Sequence, residues 1–241
     1  MDPVHNIPFM GMADPASATT HGLAAAGAAV VLVPLWRGPA GDPRRRFTCV
    51  VFGVSNLLLF SASTAYHAAG EQALKLSLRR FDHASIYVLI AGTFTPIAGN
   101  LIRGRFRAVV LGVVWALAVA GIVLKTCFAF GATPEWVDVA FYLGMGWFGA
   151  VPCYPILKRL PLSATGLILG GAFCYSIGAL VELFGKPVLI ERVFSFHELF
   201  HLAVMIASVC FYLFVFRHVL LPLPASLVPP EQRVRPPTAL G

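Results

Sequence analysis

Charge is what this chain has least of. Only 12% of its 241 residues are Asp, Glu, Lys or Arg, whereas a soluble domain carries about a quarter. The deficit runs through the whole sequence, which excludes an ordinary soluble enzyme or binding module and leaves the membrane class. Cysteine is sparse and scattered. Cys49, Cys127, Cys153, Cys174 and Cys210 contain no CxxC pair, so neither a thiolate metal site nor a disulfide framework is expected, and buried small apolar side chains are. The first twenty residues hold no Lys or Arg. A cleavable secretory signal is therefore not expected, and the apolar run that follows is read as a retained span. Gly144-Met145-Gly146 and Gly170-Gly171 lack the context of a phosphate loop and are expected to let helices pack closely.

What is abundant is apolar sequence: 58% of the residues are hydrophobic. Charge-free stretches follow one another between Asp14 and Arg37, between Arg46 and Glu71, and over 83–102, 108–124, 139–157 and 160–181. The last, between Arg192 and Arg217, holds one charge, Glu198. Seven runs of roughly 17–24 residues match the length a helix needs to cross the hydrocarbon core. Each is continuously apolar rather than alternating, which favours helices over a barrel. The expected fold is an all-α integral membrane protein, a bundle of seven transmembrane helices with its termini on opposite sides. Residues 1–20 are expected to be a flexible lead-in, 21–219 the membrane domain and 220–241 a disordered Pro-rich tail. Residues 71–80, where Leu74, Leu76 and Leu78 alternate with Lys75, Arg79 and Arg80, are expected to be a short interfacial turn.

The net charge of +7 is no sign of nucleic-acid binding. The basic residues cluster between spans, as in Arg44-Arg45-Arg46 and in Arg103, Arg105 and Arg107, where charges set orientation and meet anionic headgroups. If the N-terminus were inside, the inner segments would carry only six of the 18 basic residues. The positive-inside rule therefore predicts the N-terminus outside and the C-terminus inside.

Ionisable groups within spans are costly and need a reason. Ser63 and His67 share a helix face at the end of the second span, Asp82 opens the third, and His197 and His201 share a face at the start of the seventh. The second span ends on the side where the third and the seventh begin, so all five lie at one membrane face. Taken singly, each has an ordinary explanation: a headgroup hydrogen bond for His67, a bond back to the helix carbonyls for Ser63, an N-cap for Asp82. Their shared depth predicts a metal site. Three neutral imidazoles suit zinc and leave its fourth position for water. Asp82 would orient that water or act as its base, and Ser63 would hydrogen-bond the water or the substrate. His197-Glu198-Leu199-Phe200-His201 also fits HExxH, with Glu198 as the base of an intramembrane metalloprotease as the rival reading. His5, His21 and His218 flank the spans and are not expected to be ligands. His83 points about a hundred degrees away from Asp82. Asp138 and Glu182 stand in no recognisable motif and receive no role.

These segments together carry a resemblance. Thr20-His21-Gly22, Ser63-Thr64-Ala65-Tyr66-His67, Asp82-His83-Ala84-Ser85-Ile86-Tyr87, Gly92-Thr93-Phe94-Thr95-Pro96 and the HExxH segment occur in this order across residues 19–217. In that order and spacing the chain resembles the hemolysin III group of the progestin and adipoQ receptor family. The resemblance implies seven helices and a Zn2+ ion held by His67, His197 and His201, with Ser63 and Asp82 beside it. Such proteins are similar to alkaline ceramidases, which use zinc and water to hydrolyse a lipid amide. By that analogy Asp82 is the base, Ser63 supports the water or the oxyanion, and a membrane lipid is the substrate. The resemblance also implies the inner membrane of a bacterial cell. No cofactor besides zinc and no nucleic acid is expected, and no protein partner is indicated. Receptor members place the N-terminus in the cytoplasm, opposite to the charge count here. A receptor-like or cytolytic protein with a purely structural zinc is the alternative, although no pore-lining polar stripe is visible.

Overall fold

Helix starts are written plainly in this sequence. Asp14-Pro15 and Asp42-Pro43 open the first two helices, with proline at the position where its missing N–H costs nothing. The computed structural model describes residues 8–9, 11–38, 42–127 and 134–221. Within them the chain forms α1 (Pro15–Arg37), α2 (Pro43–Ala68), α3 (Gln72–Leu101), α4 (Gly104–Cys127), α5 (Glu135–Leu157), α6 (Leu162–Phe184) and α7 (Phe196–Phe214). A π-helical turn, Val215–Leu220, continues α7. The described residues contain no strand.

Six of these helices are long and apolar enough to cross a membrane. α5 is bent by 41° between Trp136–Gly149 and Val151–Leu157, and taken as one span it is the seventh. Pro152 and Pro155 lie within it and remove two backbone donors from its second part. The protein is thus an all-helical integral membrane protein. Its surface shows the same inversion, because Leu23, Val30, Trp36, Phe47 and Leu162 are exposed along the outside of the helices. Lipid tails are as apolar as these side chains, so the helices hold together by close packing and polar contacts instead. A methyl group at Gly92 on α3 would overlap the Ser55 side chain of α2. That closeness explains the glycine.

Two boundaries differ from expectation. Residues 72–80 are no interfacial turn but the first turns of α3, a helix of 30 residues. Lys75 bonds to Asp14, and its aliphatic stem and that of Arg79 lie along the same cavity wall. Asp82 is consequently well inside α3 and caps nothing. α1 starts at Pro15, inside the stretch expected to be a lead-in. Residues 222–241, expected to be a disordered tail, lie outside the described residues. Of the cysteines, all free, only Cys49 and Cys153 are buried, and Cys127 is exposed.

Packing is unequal along the bundle axis. Leu35, Phe52, Phe214, Val215, Val219 and Leu220 join in one buried cluster, at the end where α1, α3 and α7 finish and α2 begins. At the opposite end the helices part around a cavity of about 1490 Å³. α6 stops there on Gly185, whose φ of 64° is the left-handed conformation that glycine supplies without strain.

Candidate metal centre

Each ligand candidate is placed by a local sequence feature. α7 begins with a capping box: Ser195 is its N-cap and Glu198 its third residue. That fixes the first turn, from which His197 and His201, four residues apart, project on one face. His67 lies in the last turn of α2. One nitrogen from each of His67, His197 and His201 lies within 4.8 Å of the others. Ser63, Asp82 and all three histidines line the large cavity. Ser63 is buried and faces the Asp82 carboxyl group, which is itself 8% exposed.

Two carboxylates complete the arrangement. His67 Nδ1 lies 3.2 Å from Asp14 Oδ2, and His197 Nδ1 lies 3.1 Å from both oxygens of Glu182. An ionised carboxylate only accepts, so each Nδ1 carries the proton, and in a neutral imidazole Nε2 then carries the lone pair. Those two Nε2 atoms face each other at 3.2 Å. Two acceptors at that distance repel unless a cation lies between them. Nitrogens about 2.0–2.1 Å from a tetrahedral zinc stand about 3.3 Å apart, so the spacing fits a shared ion. Carboxylate-backed imidazoles are the usual outer support of such a site. The third imidazole, His201, is 2% exposed, and its Nδ1 has no hydrogen-bond partner. The residues present fit a metal ion.

Asp14 holds His67 twice. Besides the side-chain contact, its backbone N–H donates to the His67 carbonyl at 2.9 Å. Its carboxylate also accepts from Lys75 Nζ at 2.7 Å. Burial pushes the Asp14 carboxyl up, but the bonds to His67 and Lys75 outweigh it and bring the group down to about 2. Asp14 is therefore ionised throughout the physiological range, as the support of a ligand requires.

Glu198 lies elsewhere. It is 1% exposed, with Oε1 accepting from Ser17 Oγ at 2.8 Å and Oε2 from the Ser195 N–H and Oγ at 2.7 and 2.9 Å. The carboxylate thus caps its own helix and ties α7 to α1. Its position in HExxH comes from the capping box. Asp138 pairs with Lys125 across the α4–α5 junction. His83 also lines the cavity, and its backbone carbonyl accepts from the Tyr142 hydroxyl at 3.5 Å.

The structure brings His67, His197, His201, Ser63 and Asp82, expected at one face, together on the wall of one cavity. Sequence reasoning missed Asp14 and Glu182. The same side-counting that placed the histidines also puts the start of α1 and the end of α6 at that face, and would have found both acids.

The haemolysin-III related family model matches residues 12–212, a stretch that holds every one of these side chains. The chain belongs to that family. It is 32% identical over 199 residues to the Hemolysin-3 homolog of Bacillus subtilis (strain 168), covering 82% of this chain and 92% of the relative. It is also 30% identical over 199 residues to Hemolysin-3 of Bacillus cereus, covering 82% of this chain and 90% of the relative. For this haemolysin-III related protein, the buried histidine cluster is the feature with evident chemical capacity.

Proposed function

We propose that this protein is a zinc-dependent membrane hydrolase acting on a lipid amide or ester, with a role in membrane lipid homeostasis. The observation that carries the proposal is the meeting of the His67 and His197 Nε2 atoms at 3.2 Å on the wall of a cavity that also holds the buried Asp82 and Ser63. His67, His197 and His201 would hold the ion, and when bound it would polarise a carbonyl and acidify water. Asp82 takes a proton at its carboxylate oxygen and returns it to the leaving group. Ser63 donates its one O–H to Asp82 or to the reacting oxygen. Glu182 and Asp14 keep two imidazoles in the tautomer that offers Nε2. Away from the histidines the cavity is walled by apolar groups, among them Leu59, Ile86, Phe94, Ile168 and Phe211, a lining suited to an acyl chain.

The site end carries acids, while Arg44, Arg45, Arg46, Arg103, Arg105 and Arg107 crowd the other end. That distribution supports the C-terminus in the cytoplasm and the site turned outward, in the cell membrane of a bacterium such as those of the relatives. A protease reading has little support, since Oε2 of Glu198 is engaged in the cap and Oε1 accepts from Ser17. The alternative is a receptor-like or cytolytic protein, as the relatives' names suggest, whose zinc only ties α2 to α7.

Replacing Asp82 by Asn separates the two. The hydrolase keeps about one zinc per chain and loses about 10²- to 10⁴-fold in hydrolysis of amide- or ester-linked lipids, measured on the detergent-purified protein. Full activity in that variant would remove Asp82 from the mechanism. Wild-type protein with zinc but no turnover of any such lipid would leave the structural reading standing.

A further inference from the structure

One face of α1 touches the site three times without contributing a ligand. Asp14, Ser17 and His21 recur at spacings of three and four, on a single stripe of the helix. Asp14 bonds to His67 and Ser17 bonds to Glu198. His21 stacks on His201, with ring centroids 3.7 Å apart and planes 15° from parallel. On its other side His21 meets Phe60 of α2 edge-on at 5.2 Å. The His21 ring is 3% exposed, and neither of its nitrogens has a hydrogen-bond partner.

We infer that His21 is a positioning residue of the metal centre, a flat plate that fixes the plane of the His201 ring; the inference rests on the three-histidine reading of the site. An imidazole offers its lone pair in the plane of its ring. An ion held by His201 lies in or near that ring's plane, so it stands off the nearly parallel plane of His21 by roughly the stacking distance, about 3 Å or more. His21 in this position cannot aim a lone pair at the same ion. It can stop His201 from turning about its side-chain bonds, which matters because the other two ligands have a carboxylate to hold them and the Nδ1 of His201 has none. Stacking replaces the hydrogen bond that His67 and His197 receive.

The test is metal binding by the full-length protein in detergent, read as cobalt(II) absorption and as zinc affinity in competition with a chelator. Four variants are compared with wild type: H21A, H21L, H21F and, as a measure of lost α1 packing away from the site, L35A, which opens the buried cluster at the far end of α1. Wild type is expected to give the intense visible bands of a four-coordinate cobalt site. H21A and H21L should shift those bands and weaken zinc by about 10- to 100-fold, the loss typical of an outer supporting partner. H21F keeps the flat ring and should restore both readings to within about threefold of wild type.

Three results overturn the inference. H21F as defective as H21A would make His21 a ligand or a hydrogen-bonding group. H21L equal to wild type, or a spectrum in L35A shifted as far as in H21L, would make it packing alone. A wild-type chain that takes up neither metal defeats the three-histidine reading itself and this inference with it. The variants' thermal midpoints separate loss of the site from loss of the fold.

Discussion

α1 and α2 begin with the same dipeptide, Asp-Pro, at opposite ends of the bundle, and the two aspartates behave differently. Asp42 turns back and accepts from the Arg44 N–H at 2.9 Å, an ordinary N-cap. Asp14 leaves its own helix uncapped and directs its carboxylate to His67 and Lys75. The difference extends to the two ends as wholes. Around Asp42 the helices close on the Leu35, Phe52 and Phe214 cluster, and arginines mark the rim. Around Asp14 they part around the cavity, and the carboxylates of Asp14 and Glu182 bond to histidines of other helices. Identical local sequence thus serves secondary structure at the packed end and the site at the open end. One end of this bundle holds the helices together, and the other keeps a set of side chains in place.

Substitutions at the two ends should therefore be separable. The largest effect is expected from His67→Ala, which removes one of three ligands and should lower bound zinc from about one per chain to background in elemental analysis. The helices should remain folded. Zinc retained at full stoichiometry in this variant would break the site reading. At the packed end, Phe214→Ala should cost about 3–5 kcal/mol of stability by opening a cavity in the buried cluster, with zinc affinity unchanged. A matching loss of zinc affinity would show that the two ends are not independent. Glu182→Gln should fall between them, weakening zinc by about 10- to 100-fold because the amide can present its oxygen or its nitrogen to His197 Nδ1. Its thermal midpoint should move little. The smallest effect belongs to Glu198→Gln. It keeps one acceptor oxygen for the cap and should cost about 1 kcal/mol or less, with lipid hydrolysis retained. Loss of all activity there, in a folded and zinc-loaded protein, would restore the metalloprotease reading.

Acidification should read the Asp14 contacts directly. The folded Asp14 carboxyl is held at about 2, below its ordinary value of 3.8, so its contribution to stability is complete above about pH 4. It fades as the pH falls towards 2. An Asp14→Asn variant should lack that dependence in a pH series of thermal midpoints.

Much of this was legible in the sequence because membrane spans simplify the problem. Length and continuous apolarity gave the helices, and counting their sides brought His67, His197 and His201 to one face. Two failures have physical causes. Residues 72–80 carry three cations, which hid a helix whose first turns bond to Asp14 and line the cavity. Asp14 and Glu182 went unrecognised because nothing in their local sequence marks a carboxylate that backs an imidazole. That role exists only once helices distant in sequence meet. His21 shows the same limit, since a stack between α1 and α7 leaves no trace in spacing. The HExxH match failed in the opposite direction. A capping box and a zincin motif both require a glutamate at this position, and only the neighbouring Ser195 and Ser17 distinguish them.

The order of the ligands along the chain has one further consequence. His67 emerges early in synthesis, whereas His197 and His201 come with the final helix. A nascent chain halted after α6 presents one imidazole, its Asp14 partner and an unengaged Glu182, too few ligands to retain an ion. On the three-histidine reading, metal uptake would wait until the last helix has inserted and docked.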